Sequence, residues 1–180
     1  MDKLLKLDVI SDDYINKCYD YKYVEMSDKR FDDIHKRVIE SYPNSCICYI
    51  LEIFNNTLLR KYNNNKEKIM KRDGNIECKQ LFHGTNEKSI KSICNSGFLT
   101  KYNKTSAFGK GSYFALNAMY SYSYMPTNSD GLSFMFLADV LIGKVGEEIY
   151  TNSTTPTSIY VTPKDYYAYP RYVIAFYKNA

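Results

Sequence analysis

Leu81-Phe82-His83-Gly84-Thr85 and, further along, Phe108-Gly109-Lys110-Gly111-Ser112-Tyr113-Phe114-Ala115 are the two stretches that decide how this chain folds. In the first, an apolar pair of strand character runs into one of only two histidines and then into Gly-Thr. That order predicts an imidazole projecting at a strand end, with a Gly-Thr turn whose small residues let a ligand approach the backbone. Strand ends and the loops that follow them are where binding groups concentrate. In the second stretch, Gly109-Lys110-Gly111 leads into a short β-type run, Ser112-Tyr113-Phe114. A Tyr-rich helical segment follows, Ala118-Met119-Tyr120-Ser121-Tyr122-Ser123-Tyr124, whose rings offer flat faces for stacking a planar heterocycle.

Working outward, the chain alternates helical and strand signals. From Ser27, read as a helix N-cap, Phe31, Ile34, Val38 and Tyr42 recur at helical spacing until Pro43 stops the pattern. Cys46 to Phe54 alternates and is rich in Ile, Tyr and Phe, which predicts a strand. Asn56 to Met70 returns to helical spacing, and Asn86 to Asn95 carries Ile90, Ile93 and Cys94 on one face before Ser96-Gly97 ends it. A loop then runs to Phe108. Beyond it the strand signals dominate, at Ser112 to Phe114, Phe134 to Ile142, Ser158 to Thr162 and Tyr172 to Tyr177. Gly143 to Thr157 is a loop by composition. Residues 1–26 show no clean period and are read as an N-terminal extension of undefined structure, preceding one domain over 27–180. The pattern is α+β, without repeats or a long linker.

Composition narrows the class. The 180 residues suffice for one domain with a sizeable core, and 44% of them are hydrophobic. A net charge of +4 with a pI near 8.6 is far from the dense basic patch of a dedicated nucleic-acid binder. Nineteen Tyr and no Trp reflect biased usage, because Tyr falls in helices, strands and loops alike. The five cysteines form no Cys-x-x-Cys pair, and an odd count without a signal peptide points to reduced thiols in a cytoplasmic or nuclear compartment. Cys46 and Cys48 share one face of a strand and are expected as small buried hydrophobes. With His35 and His83 far apart, metal-ligand spacing is absent, and no metal is expected. No apolar run approaches the roughly 18 to 20 residues of a membrane span, and the polar N-terminus does not read as a secretory signal, so a soluble intracellular protein is expected.

These motifs resemble the catalytic core of the poly(ADP-ribose) polymerase family, the diphtheria-toxin-like ADP-ribosyltransferases, and most closely its mono-ADP-ribosylating branch. The resemblance rests on His83-Gly84-Thr85, on Gly109-Lys110-Gly111-Ser112-Tyr113-Phe114-Ala115, and on Ser121 with Tyr124 in the helix that follows. Phe136-Leu137-Ala138-Asp139-Val140-Leu141-Ile142-Gly143 is similar to the family's next strand, and Ala168-Tyr169-Pro170-Arg171-Tyr172-Val173-Ile174 to its final one. It extends from roughly Phe31 to the C-terminus. It implies an α+β fold of mainly antiparallel split β-sheets with flanking helices, and NAD as co-substrate. It also implies a protein acceptor, the chain itself included.

By the same resemblance, the Gly84 backbone and the Ser121 hydroxyl hold the nicotinamide carboxamide. Tyr124 and Tyr113 stack on the two faces of the ring, and His83 bonds a ribose hydroxyl of the adenosine half. The triad positions are His83, Tyr113 and Ile159, the last standing where chain-elongating enzymes carry Glu. Ile cannot accept a hydrogen bond, so it could not orient a hydroxyl of a growing polymer, and transfer of a single unit is expected. Glu147 and Glu148 are the alternative source of a carboxylate. Two further readings stay open: a pseudoenzyme that binds NAD or ADP-ribose without transferring it, and a transferase acting on nucleic acid.

Taken singly, these residues are weaker signals. A lone His at a strand end is usually structural, and His35 reads as a solvated surface residue. Gly109-Lys110-Gly111 matches neither a P-loop nor a dinucleotide fingerprint. Lys144, Lys164 and Arg171 read as part of a solvated face.

Overall fold

The computed structural model describes residues 18–102, 105–106, 108–152 and 158–177. In chain order the elements are β1 (Asp20–Tyr23), α1 (Lys29–Ser41), β2 (Cys46–Phe54), α2 (Asn56–Asp73), β3 (Glu77–Thr85) and α3 (Glu87–Ser96). They continue with a 3-10 turn (Thr100–Tyr102), β4 (Thr105–Ser106), β5 (Gly109–Lys110), β6 (Ser112–Ala115) and α4 (Ala118–Tyr122). The last are β7 (Leu132–Ile142), β8 (Tyr150–Asn152), β9 (Ile159–Thr162) and β10 (Ala168–Tyr177). Eight strands form one antiparallel sheet in the order β1-β2-β10-β7-β3-β6-β9-β8, and β4 and β5 pair separately.

β7 explains how the sheet is covered. Its residues are apolar almost without interruption, as a strand buried on both faces requires. Phe134, Phe136, Ala138 and Val140 face α3 and Phe98, joining Leu81, Ile90, Cys94 and Phe114 in one core. Met135 and Leu137 alternate onto the other face, against Phe31, Ile34 and Val38 of α1 and Ala118 of α4. At the far end of that strand, Leu141 meets Leu58, Tyr62 and Ile69 of α2 together with Tyr169.

The sheet is split. β3 pairs with β7 over its whole length, from Glu77↔Ile142 to Thr85↔Phe134, but it meets β6 at a single pair, Phe82↔Ala115. Beyond Phe82 the two strands part, leaving five strands on one side and β6-β9-β8 on the other.

Several local expectations are corrected. The extension expected over residues 1–26 includes β1, which pairs with β2 from Asp20↔Phe54 to Tyr23↔Leu51; residues 1–17 lie outside the described part. The cap of α1 is Asp28, whose carboxylate accepts the Arg30 N–H at 2.8 Å, and not Ser27. Asn86 caps α3 from outside, with its side chain accepting the Ser89 N–H. Cys46 is exposed and Cys48 half-buried, because β2 lies next to the sheet's edge and that face is thinly covered at the strand's start. His35 is half-buried and stacks on Phe31.

The helix expected through Tyr124 stops at Tyr122, since Pro126 removes a donor and restricts Met125. β10 begins four residues early, and its register shifts between Tyr169 and Tyr172, where Pro170 is accommodated as a bulge. The expected loop over Gly143 to Thr157 contains β8; its residues 153–157 lie outside the described part. Lys144 and Lys164 are exposed, as expected, and Arg171 is half-buried; they pair with Glu147, Glu148 and Asp139 respectively.

Candidate active site

Where β3 and β6 separate, a cavity of about 240 Å³ opens, lined by His83, Gly84, Tyr113, Ala115, Tyr120, Ser121 and Tyr124 among others. The split therefore makes the site. Strand alternation sends His83 toward Phe98 and Phe114, while Gly84 faces α4. No turn begins at Gly84, as the sequence had led us to expect: Gly84 and Thr85 are ladder residues opposite Met135 and Phe134.

His83 bridges the gap. Its Nδ1 lies 2.7 Å from the Tyr113 carbonyl oxygen, so one side chain on β3 ties together the strands that no longer share a ladder. A carbonyl only accepts, so Nδ1 carries the hydrogen and the neutral ring leaves Nε2 as an acceptor. Burial against Phe98 and Phe114 lowers the His83 pKa from its ordinary 6.5, partly opposed by the bond to the Tyr113 carbonyl. The ring is thus neutral at pH 7, and its lone pair is available to a hydroxyl donor.

Gly84 is required for a reason other than ligand access. A Cβ built there would overlap the backbone carbonyl of Ser121, well inside any permissible contact. The glycine lets α4 sit directly on β3, which carries Ser121 and the aromatic rings to the cavity. Ser121 itself is buried. Gly111 plays the equivalent part in the other half-sheet, where a Cβ would press on the Thr162 carbonyl at 2.7 Å.

The tyrosines differ in how firmly they are held. The Tyr113 hydroxyl donates to the Gly109 carbonyl at 2.6 Å and accepts the Phe108 N–H at 3.1 Å, which fixes its ring against the preceding turn. Tyr124 lies beyond the end of α4 and is 58% exposed. Its hydroxyl lies 3.3 Å from that of Tyr120, with the rings 5.6 Å apart. The bond to Tyr124, with burial second, pushes the Tyr120 pKa up to about 12. Tyr120 was not singled out from the sequence, although its spacing of four from Tyr124 on a helix was the available signal.

Ile159 opens β9 opposite Ala115, a cavity residue, but its side chain is buried at 4% exposure and is not part of the lining. The alternative carboxylates are committed elsewhere. Glu148 receives Arg72, Tyr167, Lys164 and the Lys144 N–H, and Glu147 pairs with Lys144. The cavity lining holds no Asp or Glu. A second cavity shares His83 and Tyr102 with the first and is lined further by Thr85, Lys88, Ser89, Ser92 and Ser112. The two adjoin at His83 and Tyr102 as one cleft; the first is walled mainly by aromatic rings, and the second adds hydroxyl groups with one lysine.

A family model of the poly(ADP-ribose) polymerase catalytic domain matches residues 24–166, a span holding every element of the cleft. The chain belongs to the poly(ADP-ribose) polymerase catalytic-domain family. It is 30% identical over 168 residues to the human protein mono-ADP-ribosyltransferase PARP14, covering 84% of this chain and 9% of that protein. Against human PARP12, also named a protein mono-ADP-ribosyltransferase, identity is 31% over 151 residues, 71% of this chain and 21% of the relative. A probable poly(ADP-ribose) polymerase of Dictyostelium discoideum is 30% identical over 162 residues, 79% of this chain and 48% of its own length. The chain thus spans from under a tenth to about half the length of these relatives. Membership in the polymerase family accounts for the antiparallel split sheet. No helix among the described residues is long and apolar enough to cross a membrane.

Proposed function

We propose that this chain uses NAD to transfer a single ADP-ribose to a protein acceptor, itself included, with release of nicotinamide. The observation that carries this reading is the carboxylate-free, tyrosine-walled cavity at the split of the sheet, with a neutral histidine bridging that split. Planar faces at Tyr113 and Tyr124 fit a nicotinamide ring, and the buried Ser121 beside Gly84 fits its carboxamide. The adenosine half lies toward the second cavity, where His83 Nε2 accepts from a ribose hydroxyl and Lys88 supplies the positive charge that a pyrophosphate needs.

In the reaction, the bond between nicotinamide nitrogen and ribose C1′ breaks and the electron pair leaves with the neutral base. An acceptor nucleophile then forms the new bond to C1′, losing its proton to water. The developing cation resembles that of glycoside hydrolysis. The chain's contribution is orientation: rigid walls, a fixed imidazole and a desolvated pocket. Ile159 at the third triad position and the absence of Asp or Glu from the lining support transfer of one unit, since no carboxylate is there to accept from a hydroxyl of a growing chain.

Incubation with a tagged NAD analogue, followed by mass spectrometry, is expected to give adducts of one ADP-ribose each on the chain and on added proteins. Long polymers would remove Ile159 from its assigned place. Label lost with nuclease but not protease would shift the acceptor to nucleic acid. NAD or ADP-ribose binding without label would indicate a pseudoenzyme.

His83→Ala removes both the ligand bond and the tie to Tyr113. Transfer should fall about 10- to 100-fold, as loss of a buried hydrogen-bonding group implies. In the wild-type chain the same residue sets an acid limb. Because the folded pKa lies below 6.5, NAD binding should be level above that pH and decline as the pH falls through the folded value and Nε2 gains a proton. A titration of Kd against pH measures it.

A further inference from the structure

We infer that Tyr120 is a positioning residue for NAD, acting through Tyr124: the hydroxyl pair holds the one wall of the nicotinamide pocket that the fold leaves outside regular structure. This rests on the proposed function for the identity of the ligand and goes beyond it in assigning a residue.

Tyr113, one ring of the lining, belongs to β6, and its hydroxyl is consumed by Gly109 and Phe108. Tyr124, another, lies two residues beyond the end of α4 and stands more than half exposed. Its backbone N–H reaches only the Ser121 carbonyl at 3.1 Å, in the last turn before Pro126. Without an anchor such a ring would turn about two torsions and lose entropy when it stacks on a ligand.

Tyr120 lies within α4, one helical turn earlier, behind an N-terminus capped by Asn117, whose side chain accepts the Tyr120 N–H at 3.0 Å. From there its hydroxyl meets that of Tyr124. The mutual bond therefore fixes the Tyr124 ring before a ligand arrives.

The test is a double-mutant cycle on the full chain with Tyr120→Phe, Tyr124→Phe and the pair, reading KM for NAD, kcat from nicotinamide release and Kd from calorimetry. Each ring is kept and only the hydroxyl bond is lost. Each single change is expected to raise KM and Kd about 3- to 10-fold, with the larger part of the loss in KM, and the double variant should be no worse than either single. Wild-type Kd for Tyr120→Phe, or single effects that multiply in the double variant, would overturn the inference and leave the proposed function standing. A wild-type chain that neither binds NAD nor releases nicotinamide would overturn both. Melting temperatures within a degree or two of wild type for the two singles are also expected, because both side chains lie at the mouth; a drop in Tm that tracked the KM change would overturn the positioning role in favour of a structural one.

Discussion

Gly84→Ala is expected to abolish transfer and to lower stability by about 3 kcal/mol or more, the upper range for overpacking a core position. The clash is with the Ser121 backbone carbonyl and not with a side chain that could swing away. Only two adjustments are open to the chain. If β3 yields, the ladder to β7 distorts at Gly84↔Met135 in the middle of the sheet. If α4 yields, it lifts from the sheet and takes Tyr120, Ser121 and Tyr124 with it. The second route is cheaper and removes the pocket, so activity should be lost even where folded protein is recovered. Circular dichroism melts and nicotinamide release, measured together, check the pairing. A fully active Gly84→Ala would mean that α4 does not rest on β3 as described.

Glu148→Ala should cost about 2 to 3 kcal/mol without a specific effect on NAD affinity, since Glu148 lines neither cavity. Glu148 is 2% exposed and accepts from Arg72 at 3.0 and 2.8 Å, from Tyr167 at 2.9 Å and from the Lys144 N–H at 3.1 Å. Truncation leaves the Tyr167 hydroxyl and the Lys144 N–H without their acceptor inside the protein. Arg72 and Lys164 are about half exposed and can turn to water, which keeps the loss below that of a fully buried pair.

The pH dependence follows in sign. Chiefly the Arg72 bond, opposed by burial and aided by Lys144 N–H, Tyr167 and Lys164, holds this carboxyl far below its ordinary 4.5. Its contribution is therefore complete above about pH 4.5 and is lost as pH falls toward the folded value. Glu148→Gln, which keeps the shape, should flatten that acid limb while costing less at pH 7. Chemical denaturation at pH 7 and pH 4 separates the two variants; equal acid sensitivity in wild type and Glu148→Gln would assign the limb to other carboxylates.

How much of this was legible in the sequence depended on what each feature answers to. β2 was read residue for residue because alternation and β-branching act locally, and α3 was bracketed to within a residue by Asn86 and Gly97. β1 was missed because Asp20-Tyr21-Lys22-Tyr23 is a short, polar edge strand, defined by its neighbour and not by its own pattern. His83 and Gly84 were identified, but as a strand end and a turn. Only β7 shows that the strand runs on through Thr85, and pairing with a strand some fifty residues away leaves no local trace. Ile159 was placed by likeness of motif alone, whereas its pairing with Ala115 and its buried side chain are facts of packing. Glu148 read as a candidate for the site because a carboxylate near a motif looks chemical. The partners that occupy it come from α2 and from the segment before β10, beyond the reach of a local reading.

The parting of β3 from β6 after Phe82↔Ala115 also bears on how much sequence such a site consumes. Recognition built into an unfinished sheet needs few letters to specify it. A residue without a side chain lets a helix in, an imidazole spans the breach, and flat rings line it; the rest is scaffold that any well-packed apolar set can supply. Most of the chain's text can therefore be rewritten while its meaning is kept, and the segments around the site are free to acquire a vocabulary of their own.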